Sequence, residues 1–250
     1  SYRSAKCRRG NGQLRTALNE KFSLVTGLRL ERRNADYSDN LVVRSDNDET
    51  FWRGNITLEY QYVDMPLVYG TISRGYKAGG VNGQIISAAA SNPEISSEVF
   101  DFDSEYMINY ELGLKGAWLE NRLQAQFAAF YQDRSEVQAK QSIFNPDDFS
   151  FDDYLANSGG GKTTGVETEL NYMATDALSF FVAAGWLNAE FDNFVSVSHV
   201  DAKDDWNGIV LLPVDMDGRE VAHAPEYQFF VGSELSLMAN VILRVELEGK

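Results

Sequence analysis

Residues 67–83, LVYGTISRGYKAGGVNG, place Gly75, Gly79 and Gly80 around Arg74 and Lys77. Glycine beside positive charge is the chemistry of a phosphate cradle, in which backbone N–H groups surround an anion at a helix start. A second stretch, GGGKTT at 159–164, looks like the end of such a loop, but the motif requires glycine five positions before Gly161 and Ala156 stands there. A strand pattern follows it, where a nucleotide loop needs a helix. The acidic stretches Asp201–Asn207 and Asp215–Gly218 suggest calcium, yet aligning their glycines with the calcium-loop template puts Lys203 or Pro213 at the first ligand position. Solvated loops are the better reading. His199 and His223 have no close ligand partners in sequence, so no metal site is assigned. Glu167 and Glu169 are the nearest thing to a catalytic pair, and their i, i+2 spacing on one strand face suits a charged wall. No catalytic residue and no cofactor is assigned.

The bulk composition narrows the classes. Twenty-two basic against 37 acidic residues give a formal charge of −15 over 250 residues, which repels nucleic acid. The one small basic cluster, Arg3, Lys6, Arg8 and Arg9, reads as a terminal tail. Cys7 is the single cysteine, so neither a disulfide framework nor a CxxC metal site exists within the sequence. No apolar run approaches the roughly 18 residues of a membrane-spanning helix and no secretory signal opens the chain, which leaves β-barrels untouched.

Periodicity supplies the positive signal, and its period is two. Trp52, Gly54, Ile56, Leu58, Tyr60 and Tyr62 alternate with Arg53, Asn55, Thr57, Glu59 and Gln61. Ile108, Tyr110, Leu112, Leu114 and Trp118 alternate with Asn109, Glu111, Gly113, Lys115 and Ala117. The same split recurs near 22–31, 123–132, 166–172, 178–186, 227–237 and 241–248, although Phe130 breaks the wet face of its segment. Each reads as a strand with one oily and one wet side. In the opening stretch the phase is ambiguous, because Val68 and Ile72 compete with Leu67 and Tyr69 for the oily side.

Connections alternate in length along the chain. Short ones lie near 63–66, 119–122, 175–177 and 238–240, and long polar ones near 35–48, 81–103, 142–155 and 196–219. An antiparallel meander then gathers its tight turns at one end and its long loops at the other, as outer-membrane barrels do. The aromatics Tyr62, Trp118 and Tyr172 lie beside tight turns, whereas Trp52, Tyr110, Tyr131, Trp186 and Tyr227 lie toward the long loops, forming two candidate membrane girdles. At about 3.3 Å per residue and a tilt of about 40°, Tyr110 and Trp118 stand roughly 20 Å apart along the membrane normal. The wet face carries Arg29, Glu31, Arg53, Glu59, Glu111, Lys115, Glu167 and Glu169. A basic residue facing hydrocarbon at midplane costs about 2–4 kcal/mol, so these charges must face a polar lumen.

Four stretches resemble the TonB-dependent outer-membrane receptors that import siderophores and other scarce ligands: 67–83, 109–138 (NYELGLKGAWLENRLQAQFAAFYQDRSEVQ), 157–170 (NSGGGKTTGVETEL) and 224–232 (APEYQFFVG). With FSLVTGLRLERR at 22–33 they cover most of the chain; residues 1–14 match poorly. The resemblance implies an all-β fold, an antiparallel meander of about nine or ten strands forming part of a transmembrane barrel that has 22 strands in the family. It also implies that residues 1–250 are a partial barrel domain, an open curved sheet without the plug domain or the final strands. The implied setting is the outer membrane of a Gram-negative bacterium. The implied partners are outer-membrane lipid, a small-molecule ligand such as a siderophore, and a TonB-type energy-coupling protein acting through the plug region.

The implied function is energy-coupled uptake of a scarce ligand, with an iron–siderophore complex as the expected cargo and no enzymatic activity. Tyr76, Lys77, Asn82, Arg134 and Gln138 are the expected ligand contacts, chosen by location at outer loops and upper lumen. Two alternatives remain open: a passive porin-like channel, favoured toward cations by its acidic lumen, and a soluble β-rich binding module.

Overall fold

A computed structural model describes residues 2–38, 44–63, 65–89, 92, 95–145, 150–201, 209–222, 224–238 and 241–250. In chain order the described strands are β1 (Tyr2–Ala17), β2 (Phe22–Ser38), β3 (Arg44–Tyr60), β4 (Leu67–Lys77), β5 (Gly80–Val81), β6 (Asp101–Phe102), β7 (Glu105–Trp118) and β8 (Leu123–Ser135). They continue as β9 (Gln138–Asn145), β10 (Ser150–Asn157), β11 (Gly160–Met173), β12 (Leu178–Asp192), β13 (Val195–Asp201), β14 (Ile209–Asp215), β15 (Tyr227–Met238) and β16 (Val241–Gly249). Among the described residues one short α-helix, α1 (Gly83–Ala88), and a 3-10 turn at Ser97–Val99 lie between β5 and β6.

Ten strands form one antiparallel sheet in the order β1-β2-β3-β4-β7-β8-β11-β12-β15-β16, whose end strands do not pair with each other. The expected open meander is therefore the observed one. The remaining strands pair as three small hairpin-like units, β5 with β6, β9 with β10 and β13 with β14, all inside the long connections.

Two expectations need correction. The basic cluster Arg3, Lys6, Arg8 and Arg9 is not a terminal tail: β1 pairs with β2 from Tyr2↔Ser38 to Ala17↔Ser23. The connection expected at 35–48 is largely strand, because β2 and β3 stay paired up to Ser38↔Arg44. Both segments lie at the long-loop end, where the two faces of a strand meet water alike and alternation loses its cause.

Cross-strand register settles which side chains share a face, since directly opposed residues in an antiparallel pair do. Arg29 opposes Arg53, and Glu59 opposes Tyr69. Tyr69 opposes Gly113, Thr71 opposes Glu111, and Lys115 opposes Gln126, itself opposite Glu169. Followed strand by strand, this places Arg29, Glu31, Arg53, Glu59, Glu111, Lys115, Glu167 and Glu169 on one face. Trp52, Tyr110, Trp118, Tyr131, Tyr172, Trp186 and Tyr227 fall on the other, and Tyr62 sits just beyond β3. The ambiguous phase of β4 is also resolved. Val68 and Ile72 take the apolar face opposite Tyr60 and Ile56, while the Tyr69 hydroxyl donates to Glu111 at 2.7 Å on the polar face.

Among the described residues nothing covers the apolar face. Leu28, Ile56, Leu112, Val245 and Leu247 are each more than half exposed, at 52, 59, 62, 59 and 65 %. Exposed apolar surface of that extent marks a membrane or partner surface. Polar-face packing is local by contrast: Tyr69, Phe130 and Phe181 lie flat against the opposed glycines Gly113, Gly165 and Gly232. A Cβ on Gly165 would stand 2.6 Å from Cζ of Phe130 and 2.7 Å from the Trp186 carbonyl oxygen, so this strand crossing tolerates no side chain.

The loop-side aromatics also report the slant of the strands. Tyr110 is level with Ile56, four residues beyond Trp52 along β3, and Trp186 is level with Leu58, two residues further. A descent of six residues over five strand spacings is about 20 Å against about 24 Å, a slope near 40°. Aromatics tracking a flat membrane boundary across strands tilted by about 35–45° produce that slope.

Candidate functional site

At the long-loop end three connections are fastened into one unit. Glu105, at the start of β7, is 5 % exposed. Its Oε1 accepts from Arg134 of β8 through Nη2 and through Nε at 3.0 Å. Its Oε2 accepts the Gln138 backbone N–H at 3.0 Å and lies 3.9 Å from Lys77 Nζ. A buried carboxylate needs such company, because removing it from water unpaired is strongly unfavourable. The Gln138 side chain then donates to the carbonyls of Lys77, Ala78 and Asp103 at 3.3, 3.1 and 3.0 Å.

Two asparagines clip the β9–β10 hairpin to the connection between β4 and β7. Asn82 donates to Val99 O at 2.9 Å and to Leu155 O at 2.8 Å, and its Oδ1 accepts from Leu155 N at 2.9 Å. Asn157 Oδ1 accepts from Asp103 N at 2.7 Å, while its amide donates to Asp103 O and Glu136 O at 3.0 and 2.9 Å. Beneath these clips Ile85, Ile86 and Ile95 are buried against Val99, Phe100, Ile143 and Tyr154. Burial pushes the Tyr154 phenol pKa up. On the outer edge of the hairpin Lys140 pairs with Asp153 at 2.6 Å, and Lys140 with Ser142 holds that carboxyl below its ordinary range.

The glycines of residues 67–83 serve this assembly. Gly79 N donates to Ser104 Oγ at 3.0 Å and its carbonyl accepts from Arg33 Nη1 at 2.9 Å, tying the connection to β2. A Cβ on Gly80 would meet Phe102 Cζ at 2.9 Å, so the glycine permits a close crossing. Arg74 points to the apolar face. The second candidate cradle is a strand pairing too: Lys162 holds Asp192 at 2.7 Å across β11 and β12.

The five expected contacts therefore converge on one rim, with different duties. Tyr76 stacks on Phe51 with ring centroids 4.7 Å apart and planes at 13°, reaching the polar face. The Lys77 and Arg134 side chains keep 61 and 38 % exposure while pairing with Glu105. Asn82 and Gln138 spend their amides on backbone groups, which makes them fasteners of the rim. Glu105 and Asn157 carry no mark in the sequence; their partners lie 21 to 54 residues away, beyond the reach of local spacing.

Of the decoys, Asp215 and Asp217 cap a turn: Asp217 N donates to Asp215 Oδ1 at 2.9 Å, and Asn193 N to Asp217 Oδ1 at 2.8 Å. Residues 202–208 and His223 lie outside the described residues, as does the side chain of His199. Among the described residues no group of three or more His, Cys, Asp or Glu is placed to hold a metal.

Residues 4–240 match the family described as TonB dependent receptor-like, beta-barrel. The pesticin receptor of Yersinia enterocolitica (serotype O:8 / biotype 1B) is 25 % identical over 207 residues, covering 79 % of this chain and 28 % of the receptor. The pesticin receptor of Yersinia pestis is 24 % identical over the same length and coverage. Among solved structures, the ferric yersiniabactin uptake receptor FyuA from Yersinia pestis superposes with a TM-score of 0.71 at 20 % identity, over 99 % of this chain and 34 % of that one. The siderophore receptor PiuA from Acinetobacter baumannii gives 0.67 at 16 % identity, over 96 and 32 %. This chain thus spans about a third or less of its relatives' length. Those relatives are receptors, not enzymes.

Proposed function

The chain belongs to the TonB-dependent receptor β-barrel family, whose members are proteins of the Gram-negative outer membrane, and we propose that it forms part of a receptor for energy-coupled uptake of an iron–siderophore complex. The observation that carries this reading is the junction of a polar sheet face with a prefastened rim at the long-loop end. A ligand arriving from outside meets Tyr76, Lys77 and Arg134 at a rim whose shape is already set by Glu105, Asn82 and Gln138. Preorganisation of that kind lowers the ordering cost of binding. Below the rim, the charged side chains from Arg29 to Glu169 line the way inward. Transport itself is assigned to a plug region moved by a TonB-type partner, which makes entry dependent on energy.

The test uses the full-length protein. Calorimetric titration against ferric siderophores, iron-free siderophores, cobalamin and oligosaccharides should give saturable binding for one ferric class, and cells should lose its uptake when the energy-coupling partner is deleted. Non-saturable uptake that persists without the partner would refute the receptor reading and favour a passive channel.

A further inference from the structure

The polar face is not charged evenly. On β7 and β11 it presents Glu111, Glu167 and Glu169 against Lys115. Toward the long loops β2 and β3 reverse that balance: within 27–33 and 49–55 their opposed columns carry Arg29, Arg33 and Arg53 against Glu31 and Glu49. Arg29 and Arg53 stand directly opposite each other. Like charges so placed repel, which calls for an anion beside them. Glu31 serves Arg29 alone, pairing with its Nη2 while Cys7 Sγ and the Tyr76 hydroxyl also donate to the carboxylate. Arg29 Nε is buried without a partner, and Arg53 is exposed with no hydrogen bond or ion pair among the described residues.

Beside the pair lies a cavity of about 410 Å³, bounded from β2, β3, β4 and β7 by Arg29, Arg53, Asn55, Ser73, Gly75 and Met107. None of these four strands is an end strand of the sheet. Above Gly75 the space is open, since a Cβ there would meet only Met107 Cε, at 4.0 Å. Two guanidinium groups, an amide and a hydroxyl offer donors to this cavity, and among the described residues no carboxylate lines it. A donor set without a competing acceptor fits an oxyanion, which guanidinium groups bind through paired N–H groups.

Building on the receptor reading above, we infer that this wall selects its ligand by charge: Arg53 is the contact for an oxyanion on a net-anionic iron chelate, and Glu31 is a built-in competitor that holds Arg29 back from the same oxyanion. The two residues then act with opposite sign. Removing the arginine weakens an anionic ligand, whereas neutralising the acid releases Arg29 and strengthens it.

Fluorescence titration of the full-length protein in detergent tests it with two probes of similar bulk, an anionic ferric tris(catecholate) and a neutral ferric tris(hydroxamate). The unmodified protein should favour the anionic complex. Arg53→Gln should weaken that complex about tenfold, the scale of one lost charge-assisted contact, and leave the neutral one unchanged. Arg53→Lys should keep part of the preference, since lysine retains charge without the planar fork. Glu31→Gln should tighten the anionic complex about threefold, the scale of releasing a partly exposed ion pair. A merely structural part for Glu31 would instead weaken both complexes, and that result overturns its role as competitor. Saturable binding of both probes with equal affinity overturns the charge selection and leaves the receptor reading standing, whereas saturable binding of neither removes both. An anionic preference that survives Arg53→Gln, with a lowered thermal midpoint of the ligand-free protein, assigns the oxyanion to the protein's own plug region and overturns the ligand contact.

Discussion

Glu105 ties β7 to β4, β8 and β9 at once, so its replacement by glutamine should loosen the rim without unfolding the sheet. The carboxylate accepts two N–H groups from Arg134 on one oxygen and the Gln138 backbone N–H on the other. An uncharged amide in its place has one oxygen and one NH₂, so serving Arg134 turns a donor toward the Gln138 N–H, and serving Gln138 abandons Arg134. Hydrogen bonds to charged groups contribute roughly 1.5–3 kcal/mol each, and partial exposure of Arg134 argues for the lower part of that range. A loss of about 2 kcal/mol corresponds to about thirtyfold in an opening equilibrium. Hydrogen exchange of the full-length protein, read peptide by peptide, reports that equilibrium directly. Amides of β9, β10 and the 78–104 connection should exchange about thirtyfold faster in Glu105→Gln, with those of β11 and β12 unchanged. Unaltered exchange in the β9–β10 hairpin, or acceleration shared equally with β11 and β12, would refute the view of Glu105 as the local fastener.

Other expectations follow from the same geometry. Asn82→Ala removes three hydrogen bonds that join the 78–104 connection internally and to β10, and should raise protease sensitivity near Leu155 while leaving the barrel's detergent-resistant mobility intact. Gly165→Ala drives a methyl into Phe130 and the Trp186 carbonyl, and should destabilise the sheet by about 1–3 kcal/mol, visible as a lower thermal midpoint. In the β7–β8 turn Leu119, Glu120 and Asn121 all have positive φ, at 54, 57 and 67°; Glu120→Gly should stabilise by about 1 kcal/mol, since only glycine adopts that conformation freely. The raised phenol of Tyr154 sets a pH limit: its stabilising contribution is complete below the unfolded value of 10.0 and is lost as pH climbs beyond it. Exchange in β10, taken relative to the intrinsic base-catalysed rate, should therefore show an added acceleration above pH 10 in the native protein that Tyr154→Phe lacks.

What the sequence made legible depended on the number of solvents a strand meets. Between the aromatic belts each strand divides hydrocarbon from a polar interior, so alternation is enforced residue by residue, and Trp52–Tyr62 and Ile108–Trp118 announce their faces without help. Beyond the belts that constraint ends. Lys6 and Arg8 head the apolar-side column of β1, and Gly10 and Gly12 below them carry no side chain, so β1 shows no oily stripe before Leu14 and its basic cluster reads as a tail. The paired extensions of β2 and β3 up to Ser38↔Arg44 read as loop for the same reason. In β4 the difficulty is reversed, with apolar groups on both sides. There the polar face is declared only by what lies across the sheet, Thr57 against Thr71 at 2.8 Å and Tyr69 against Glu111. The rim is least legible of all, because its fasteners are ordinary polar residues whose partners arrive from other strands. Position alone singles out Lys77 and Arg134, and the structure pairs both through Glu105, a carboxylate with no local mark. Register within the membrane is thus written in single strands, whereas the rim exists only once the neighbouring strands have paired and brought Lys77, Glu105, Arg134 and Gln138 to the same edge.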